Sequence, residues 1–558
     1  MPRHLFGTRN LYLESPIYNY SFGDKSSQQQ HTKIASPAQE DEKNSPLLRP
    51  YHAATIVDPR LNRINPSSWT EVSKDDNLMR AMLQHFFMYD YQWHTSFQKD
   101  YFLDDMVSGS REFCSPLLVN SILALVCVSE HSSIGMSNRN QFWDPETLSF
   151  QFIAEGKRLW DMEAGTARLT TVHAGLLLYL AHALCGKDGV GKSYLIQSVA
   201  IAESLGIFKR DGGRVGDRAQ DARDFTAWAM FTSFDLQFHS HNQWYFQDRP
   251  LLDAQPDVPL PDVLASQDWF GEIWLKYPLS DKLHAAHFGA SFRAYILLSV
   301  ILNDVACKHY SHEDQKPVFS LRDILGYYKR LEQWYRDLPT ALAPGEIFFP
   351  AMHYYNTIIR LMVAAVKLQE SSICSNLDRW TAKRTPQQLL SDAAVSLETL
   401  VRLYYVRHSF ERLDTFLVQP LTELSTVLQT GTGARHVQDA EALRSTLLLC
   451  AQGLRDQGRN HYLGQVLFHL AREHAGPELR GLIDKHLYPG PQAEAPLAAV
   501  LSQQVHSNWP ANLISALDEA KNLRLSAVLK RLESSAMKAT DVKTSGRGDS
   551  AERDELEI

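Results

Sequence analysis

Cysteine is sparse and scattered. The six, Cys114, Cys127, Cys185, Cys307, Cys374 and Cys450, never fall within four residues of one another. This spacing excludes the close pairs of zinc ribbons and fingers and is unlike a disulfide framework. Most lie in apolar stretches, as buried thiols of a reducing compartment do. An excess of positive charge is also missing: 56 Lys and Arg stand against 64 Asp and Glu, a net charge of −8. No global field draws such a chain to DNA or to an anionic membrane, so action on nucleic acid needs a local patch or a partner. Convincing membrane spans are lacking too. Residues 113–129 are few and broken by Pro116 and Asn120, 169–186 carry two Thr and two His, and 495–517 are studded with Gln, His, Asn and Pro. Met1-Pro2-Arg3-His4-Leu5-Phe6-Gly7 holds no continuous apolar segment, so neither a secretory signal nor a membrane association is expected. Arg547-Gly548-Asp549 then reads as a chance copy of an adhesion tripeptide.

Catalytic signatures are equally thin. There is no G-x-S-x-G elbow and no H-E-x-x-H. The pairs His239/His241, His284/His287 and His309/His312 have no Cys or acidic partner at a zinc-binding spacing. Asp104-Asp105-Met106-Val107-Ser108 lacks the last carboxylate of a D-D-x-x-D magnesium motif, and the second motif that Asn303-Asp304 begins fails at Cys307 and Ser311. The chain therefore reads as no enzyme, with no catalytic residue, no metal ligand and no cofactor assigned.

One motif is complete. Gly186-Lys187-Asp188-Gly189-Val190-Gly191-Lys192-Ser193 satisfies G-x-x-x-x-G-K-[ST] and supports the alternative, an all-α enzyme or a P-loop nucleotide-binding protein using Gly186 to Ser193. A phosphate loop needs a buried strand before it, so that its amides converge on the phosphates. Residues 170–185 are instead rich in Ala and Leu, with no β-branched residue after Val172, and predict a buried helix with Gly186 at its C-cap.

Helix punctuation recurs elsewhere. Ser73-Lys74-Asp75-Asp76 predicts a capping box before the stripe Leu78, Met79, Met82, Leu83, Phe86 and Phe87. Ser115-Pro116, Asp144-Pro145 and Thr385-Pro386 place a cap before an N1 proline. Leu195, Val199, Ala202 and Leu205 form a stripe closed by Gly206, and Trp228, Phe231, Phe234 and Phe238 another, which packs a core or lines a ligand pocket. Further helices are expected over 277–304, 321–338, 350–368, 412–428, 438–474 and 511–533. Alternating strand patterns are scarce, so the fold class is all-α. The expected organisation is a disordered N-terminal segment, 1–72, a large helical domain, 73–430, C-terminal helices packed on it, 431–535, and a disordered tail, 536–558.

Several segments, in order, resemble the fungal-specific transcription factor domain, the helical middle homology region of binuclear zinc cluster regulators. They are Phe86-Phe87-Met88-Tyr89-Asp90-Tyr91, the run from Lys99 to Met106, Phe113 to Ala124, Leu169 to Leu178, and Ala202-Glu203-Ser204-Leu205-Gly206-Ile207. Arg223, Trp228, Phe231 and Asp235, then Arg249-Pro250 and Pro259-Leu260-Pro261, continue the likeness. Leu447 to Gly458 resembles a C-terminal helix of the group related to nitrate-utilisation regulators. The likeness covers residues 75 to 480. It departs from the family in having Gln98 where relatives tend to have His, Ser198 where they tend to have Ala, and no cysteine before Cys114, so the usual zinc cluster and its coiled coil are missing. The resemblance implies a nuclear transcriptional regulator that controls a metabolic gene cluster, reduced to its regulatory and effector helices. It implies a transcriptional co-regulator or DNA-binding partner protein, a small-molecule effector, and DNA contact only indirectly or through a missing N-terminal module.

Overall fold

Apolar stripes at helical spacing become sixteen helices among the described residues of the computed structural model. Isolated positions apart, these are residues 51–129, 141–209, 217–240, 254–309, 320–342, 348–370, 383–429, 440–459, 462–488 and 503–507. The readings of disorder over residues 1–50, of a helix over 511–533 and of a mobile tail fall wholly or mostly outside them.

The first half comprises α1 (Asp76–His85), α2 (Lys99–Ser108), α3 (Pro116–Ser129), α4 (Leu148–Glu163), α5 (Leu169–Leu184), α6 (Asp188–Ser204) and α7 (Arg218–Ser240). After the single turn α8 (Gln267–Phe270) come α9 (Phe288–His309), α10 (Leu321–Arg336), α11 (Phe349–Glu370) and α12 (Pro386–His408). The last four are α13 (Val418–Gln429), α14 (Ala440–Gly458), α15 (Tyr462–His474) and α16 (Pro477–His486). Helices pack mostly on their sequence neighbours: α5 on α3, α4 and α6, α7 on α5 and α9, α11 on α10 and α12, and α14 on α13, α15 and α16. One continuous apolar core runs through the array. All-α is thus the observed class, with three very short strands added.

The start signals work as read in two places. Ser115 Oγ accepts from Leu118 N at 3.1 Å ahead of Pro116. Thr385 and Gln388 form a reciprocal capping box around Pro386. In two others the cap lies further along. Asp75, not Ser73, accepts from Leu78 N at 3.0 Å, because it directly precedes the first helical residue. Thr147 accepts from Phe150 N at 3.2 Å, while Asp144 is used in the turn before it.

The charge-free windows at 113–129 and 169–186 become α3 and α5, whose side chains are buried almost without exception. One stretch, Phe288–Lys308 of α9, is long and apolar enough to cross a membrane by composition. It packs against α7, α8, α10 and α11, and 61% of it is buried.

Three expectations are corrected. First, residues 51–72, assigned from sequence to the disordered segment, are part of the fold. Leu61, Ile64 and Trp69 are buried, and Thr55–Ile56 (β1) pairs with a hairpin. Their few apolar residues are too irregularly spaced to register as a helix. An ion-pair cluster holds them: Arg60 bonds Asp58 at 2.7 Å and also Asp100 of α2, and buried Lys99 lies 2.6 Å from Asp100. Burial pushes the Asp100 carboxyl up, but Lys99 and Arg60 outweigh it and leave it below the usual range. Second, 277–304 is not one helix. Trp274–Lys276 (β2) and Leu283–Ala285 (β3) form an antiparallel hairpin in the sheet order β1-β2-β3, and α9 begins only at Phe288. Pro278 and the Ser280-Asp281 turn interrupt the helical pattern. Third, 412–428 starts its helix at Val418, and 438–474 holds two helices, one ending at Gly458 and the next beginning at Tyr462.

Gly175 of α5 shows how closely the first helices approach. A Cβ there would lie 2.0 Å from Ser198 Oγ of α6 and 2.8 Å from the Trp160 ring of α4. Gly175→Ala is expected to destabilise the protein by about 1–3 kcal/mol through overpacking. Adding Ser198→Ala should recover part of that loss, because only the Oγ contact is relieved. Denaturant unfolding of the two single variants and the double variant measures the coupling, and strictly additive losses would contradict this packing.

Candidate functional site

Five separated segments converge on a cavity of about 120 Å³. The first contributes Tyr51, whose hydroxyl donates to Met88 O at 2.8 Å. The second follows α1, where Phe86–Asp90 makes one widened helical turn that brings Tyr89, Gln92 and Trp93 to the cavity wall. The third is the hairpin and the start of α9, with Leu275, Tyr277, His287, Ser291 and Tyr295. The fourth is Phe348 and Phe349 at the start of α11. The fifth is the end of α12 and the loop after it, with Tyr404, Arg407, His408, Arg412 and Asp414.

The aromatic rings pack on one another. Trp93 lies 4.1 Å from Phe349, 5.4 Å from Phe416 and 5.8 Å from Tyr295, centroid to centroid. Tyr295 and Phe416 form a small apolar cluster apart from the main core. Tyr51 meets Tyr89 and His408 edge-on. Two guanidinium groups face rings here: Arg412 sits 4.2 Å from the Tyr89 centroid, and buried Arg407 5.7 Å from that of Phe348.

One side chain makes three of the hydrogen bonds that hold the loop after α12. Gln457 of α14 donates to Phe410 O at 2.8 Å and Arg412 O at 2.6 Å, and its Oε1 accepts from Asp414 N at 2.7 Å. All of the amide's capacity on that side is spent on backbone that has no helix or sheet to satisfy it. Asp414 Oδ1 accepts from Phe416 N at 3.1 Å, and Tyr404 Oη donates to Oδ2 at 3.2 Å. Burial pushes the Asp414 carboxyl up to about 7, against these bonds, which favour the charged form. The Tyr295 hydroxyl is buried and has no hydrogen-bond partner among the described residues. Two non-glycine residues of the described chain have a left-handed backbone, His287 at φ 55° and Ser409 at φ 62°. His287 lines the cavity and Ser409 begins the loop, so the local strain is concentrated at this site.

The nucleotide-loop sequence lies elsewhere and is not a loop. α5, a helix, precedes it where a strand is required. Gly186, at φ 66°, ends that helix, and Lys187 caps α6, which starts at Asp188 and takes in Gly189, Gly191, Lys192 and Ser193. A Cβ on Gly191 would lie 2.8 Å from Tyr179 O, so this glycine serves helix packing. Gly186 is covered by the chain itself: His506 N donates to its carbonyl at 2.9 Å, and Val505 packs against its Cα. No ring of amides remains to cradle a phosphate.

The other candidate motifs are not brought together. Asp104 pairs with Arg60 and Arg218, Asp105 Oδ2 accepts from Phe113 N at 2.6 Å, and Asp304 pairs with Arg330. Among the described residues no three His, Cys, Asp or Glu converge as a metal site. His284 bonds Ser280 and His287 lines the cavity, while His239, His241, His309 and His312 lie outside the residues whose side chains are described. Of the aromatic stripe, Trp228 and Phe231 are core, with Trp228 Nε1 donating to Pro259 O, and the side chains of Phe234 and Phe238 are outside the described set. Sequence reading did not name the cavity.

Segments that carried the resemblance have structural roles. Gln98 is the N-cap of α2, with Oε1 accepting from Tyr101 N at 2.8 Å and Nε2 donating to Asp268 O at 3.1 Å. Arg223 bonds the carbonyl of Leu205 at the end of α6. Gln457 lies in the 447–458 segment.

No family model matches the chain, and no solved structure matches it. Curated proteins do. The nitrogen assimilation transcription factor nit-4 of Neurospora crassa is 27% identical over 387 residues, 65% of this chain and 34% of its own length. The nitrogen assimilation transcription factor nirA of Emericella nidulans is 27% identical over 63% of this chain and 40% of its own. The notoamide biosynthesis transcriptional activator notL' of Aspergillus versicolor is 27% identical over 55% and 48%. The chain spans less than half the length of each of these relatives. The resemblance read in the sequence, to fungal transcription factors, is thus shown.

Two measurements check this geometry. A carboxyl raised by folding keeps its proton where the unfolded chain has lost it, so Asp414 subtracts stability as pH rises from the ordinary Asp range to about 7. Asp414→Asn should therefore gain on the native protein across that window and hold its advantage above it. Buried His173, His353 and His469, with ring pKa values pushed down to about 3, 4 and 4, act in the opposite sense but equally in both proteins. A pH-independent difference in unfolding free energy would contradict the assignment. For the nucleotide motif, titration with ATP or GTP should show no saturable binding that Lys192→Ala abolishes.

Proposed function

We propose that these residues are the helical regulatory part of a fungal transcriptional regulator that works in the nucleus, on genes of a metabolic cluster. The observation that supports this most is the ordered likeness to three transcription factors over more than half of the chain. The names of two relatives place them in nitrogen assimilation, and that of the third in notoamide biosynthesis. A net charge of −8 supports the reading that DNA contact belongs to a partner protein or to a module other than these helices. Transcriptional co-regulators are the fitting class of partner.

In this reading the aromatic cavity is the effector site. It is enclosed by segments from both halves of the chain, so a bound molecule touches Tyr51, α9, α11 and α12 at once.

Fusing the chain to a heterologous DNA-binding domain tests the function. The fusion should change expression of a reporter carrying that domain's site, while the chain alone should give no sequence-specific shift of DNA. A silent fusion, or tight specific binding by the chain alone, would overturn the proposal.

A further inference from the structure

We propose that the cavity takes a neutral aromatic ring carrying hydroxyl groups, which hydrogen-bond to a row of side chains along one face of α9. Size sets the first limit. Cavities of about 150 Å³ lined by apolar side chains hold benzene, so about 120 Å³ suits a single ring with small substituents and excludes a nucleotide or a fused polycycle. The walls set the second. Trp93 meets Phe349 at 67°, and Phe349 meets Tyr404 at 76°. Ring faces and ring edges thus both border the space, which favours a flat guest over a branched aliphatic one.

Hydrogen bonding sets the third limit, and it comes from α9. His287, Ser291 and Tyr295 follow one another at intervals of four residues, and all three line the cavity. Residues four apart share a helix face. The His287 carbonyl accepts from Ser291 N at 3.0 Å, which brings His287 into register one turn before the serine. None of the three side chains has a hydrogen-bond partner among the described residues. The first two are half-buried, within reach of water, whereas Tyr295 is 3% exposed and its hydroxyl is cut off from solvent. A buried hydroxyl with no partner forfeits a bond that a guest restores. Burial and the nearby Asp414 carboxylate push the Tyr295 hydroxyl well above the ordinary tyrosine range, so it keeps its proton. Serine and tyrosine hydroxyls each donate and accept, as a guest hydroxyl does, so the match needs no charge on the guest. An ion would give up more hydration than a row of hydroxyls replaces.

This inference rests on the effector site of the regulatory reading and gives it chemical content. Its test uses the purified chain and no reporter, so resorcinol could fail to bind while the fusion works, or bind while the fusion stays silent. Calorimetric titration with resorcinol should show saturable binding. Phenol should bind about tenfold more weakly, the worth of one hydrogen bond, and toluene more weakly again. Benzoate and benzylammonium should both bind more weakly than phenol. Tyr295→Phe should weaken resorcinol about tenfold and leave toluene unchanged, and Ser291→Ala should act in the same direction. Each variant removes a hydroxyl that has no native partner, so neither should lower the unfolding midpoint; a fall for Tyr295→Phe would show that its hydroxyl is already bonded and overturn the proposal. No saturable binding of resorcinol, tighter binding of either ion, or a resorcinol affinity that neither variant moves overturns it as well.

Discussion

The amide of Gln457 is the interaction on which the site depends. Residues 409–417 must cross from α12 to α13 beside a cavity, without a helix or strand to satisfy their backbone. Gln457 supplies two donors and one acceptor to Phe410, Arg412 and Asp414. Each buried backbone group left unmatched would cost about 1–3 kcal/mol, so the loop holds this course only with the amide in place. Arg412 then reaches Tyr89, and Tyr404 reaches Asp414. The cavity wall is in this sense built from α14, a helix that does not line it.

Similar junctions lie in segments that carry the resemblance to the fungal-specific transcription factor domain. The segment 447–458 contains Gln457. The end of α6, with its Leu205-Gly206 step, is held by Arg223 from α7. The Lys99-Asp100 pair joins α2 to Arg60 and Asp58 of the preceding segment. These are junctions between helices, where a polar side chain must meet a particular backbone or charge.

Much of the fold was legible because its helices carry local signals. Thr385-Pro386 and Ser115-Pro116 specify their own caps, and the Ala- and Leu-rich run before Gly186 shows that no strand precedes the false phosphate loop. What was not legible is non-local. Residues 51–72 owe their order to Asp100 and Lys99 and to strand β2, all distant in sequence, so their composition alone suggested disorder. The hairpin at 274–285 is too short for an alternating pattern to stand out, with Pro278 and Ser280-Asp281 as the local signs of a break and Lys276, Lys282 and His284 mixed among its apolar residues. The cavity is the extreme case: Tyr51, Trp93, Tyr295, Phe349 and Asp414 come from five places, and none is unusual in its own neighbourhood. Aromatic residues at such positions read as core until the five segments are seen to surround a cavity.

Amide hydrogen exchange of the native protein and of Gln457→Leu tests the central claim most directly. The account predicts that the variant loses protection across 409–417 and at the cavity-facing start of α11, while α3, α5 and α6 keep theirs. Unchanged protection of 409–417 in a folded Gln457→Leu protein would show that the loop is held by something else, and the account of the site would fail.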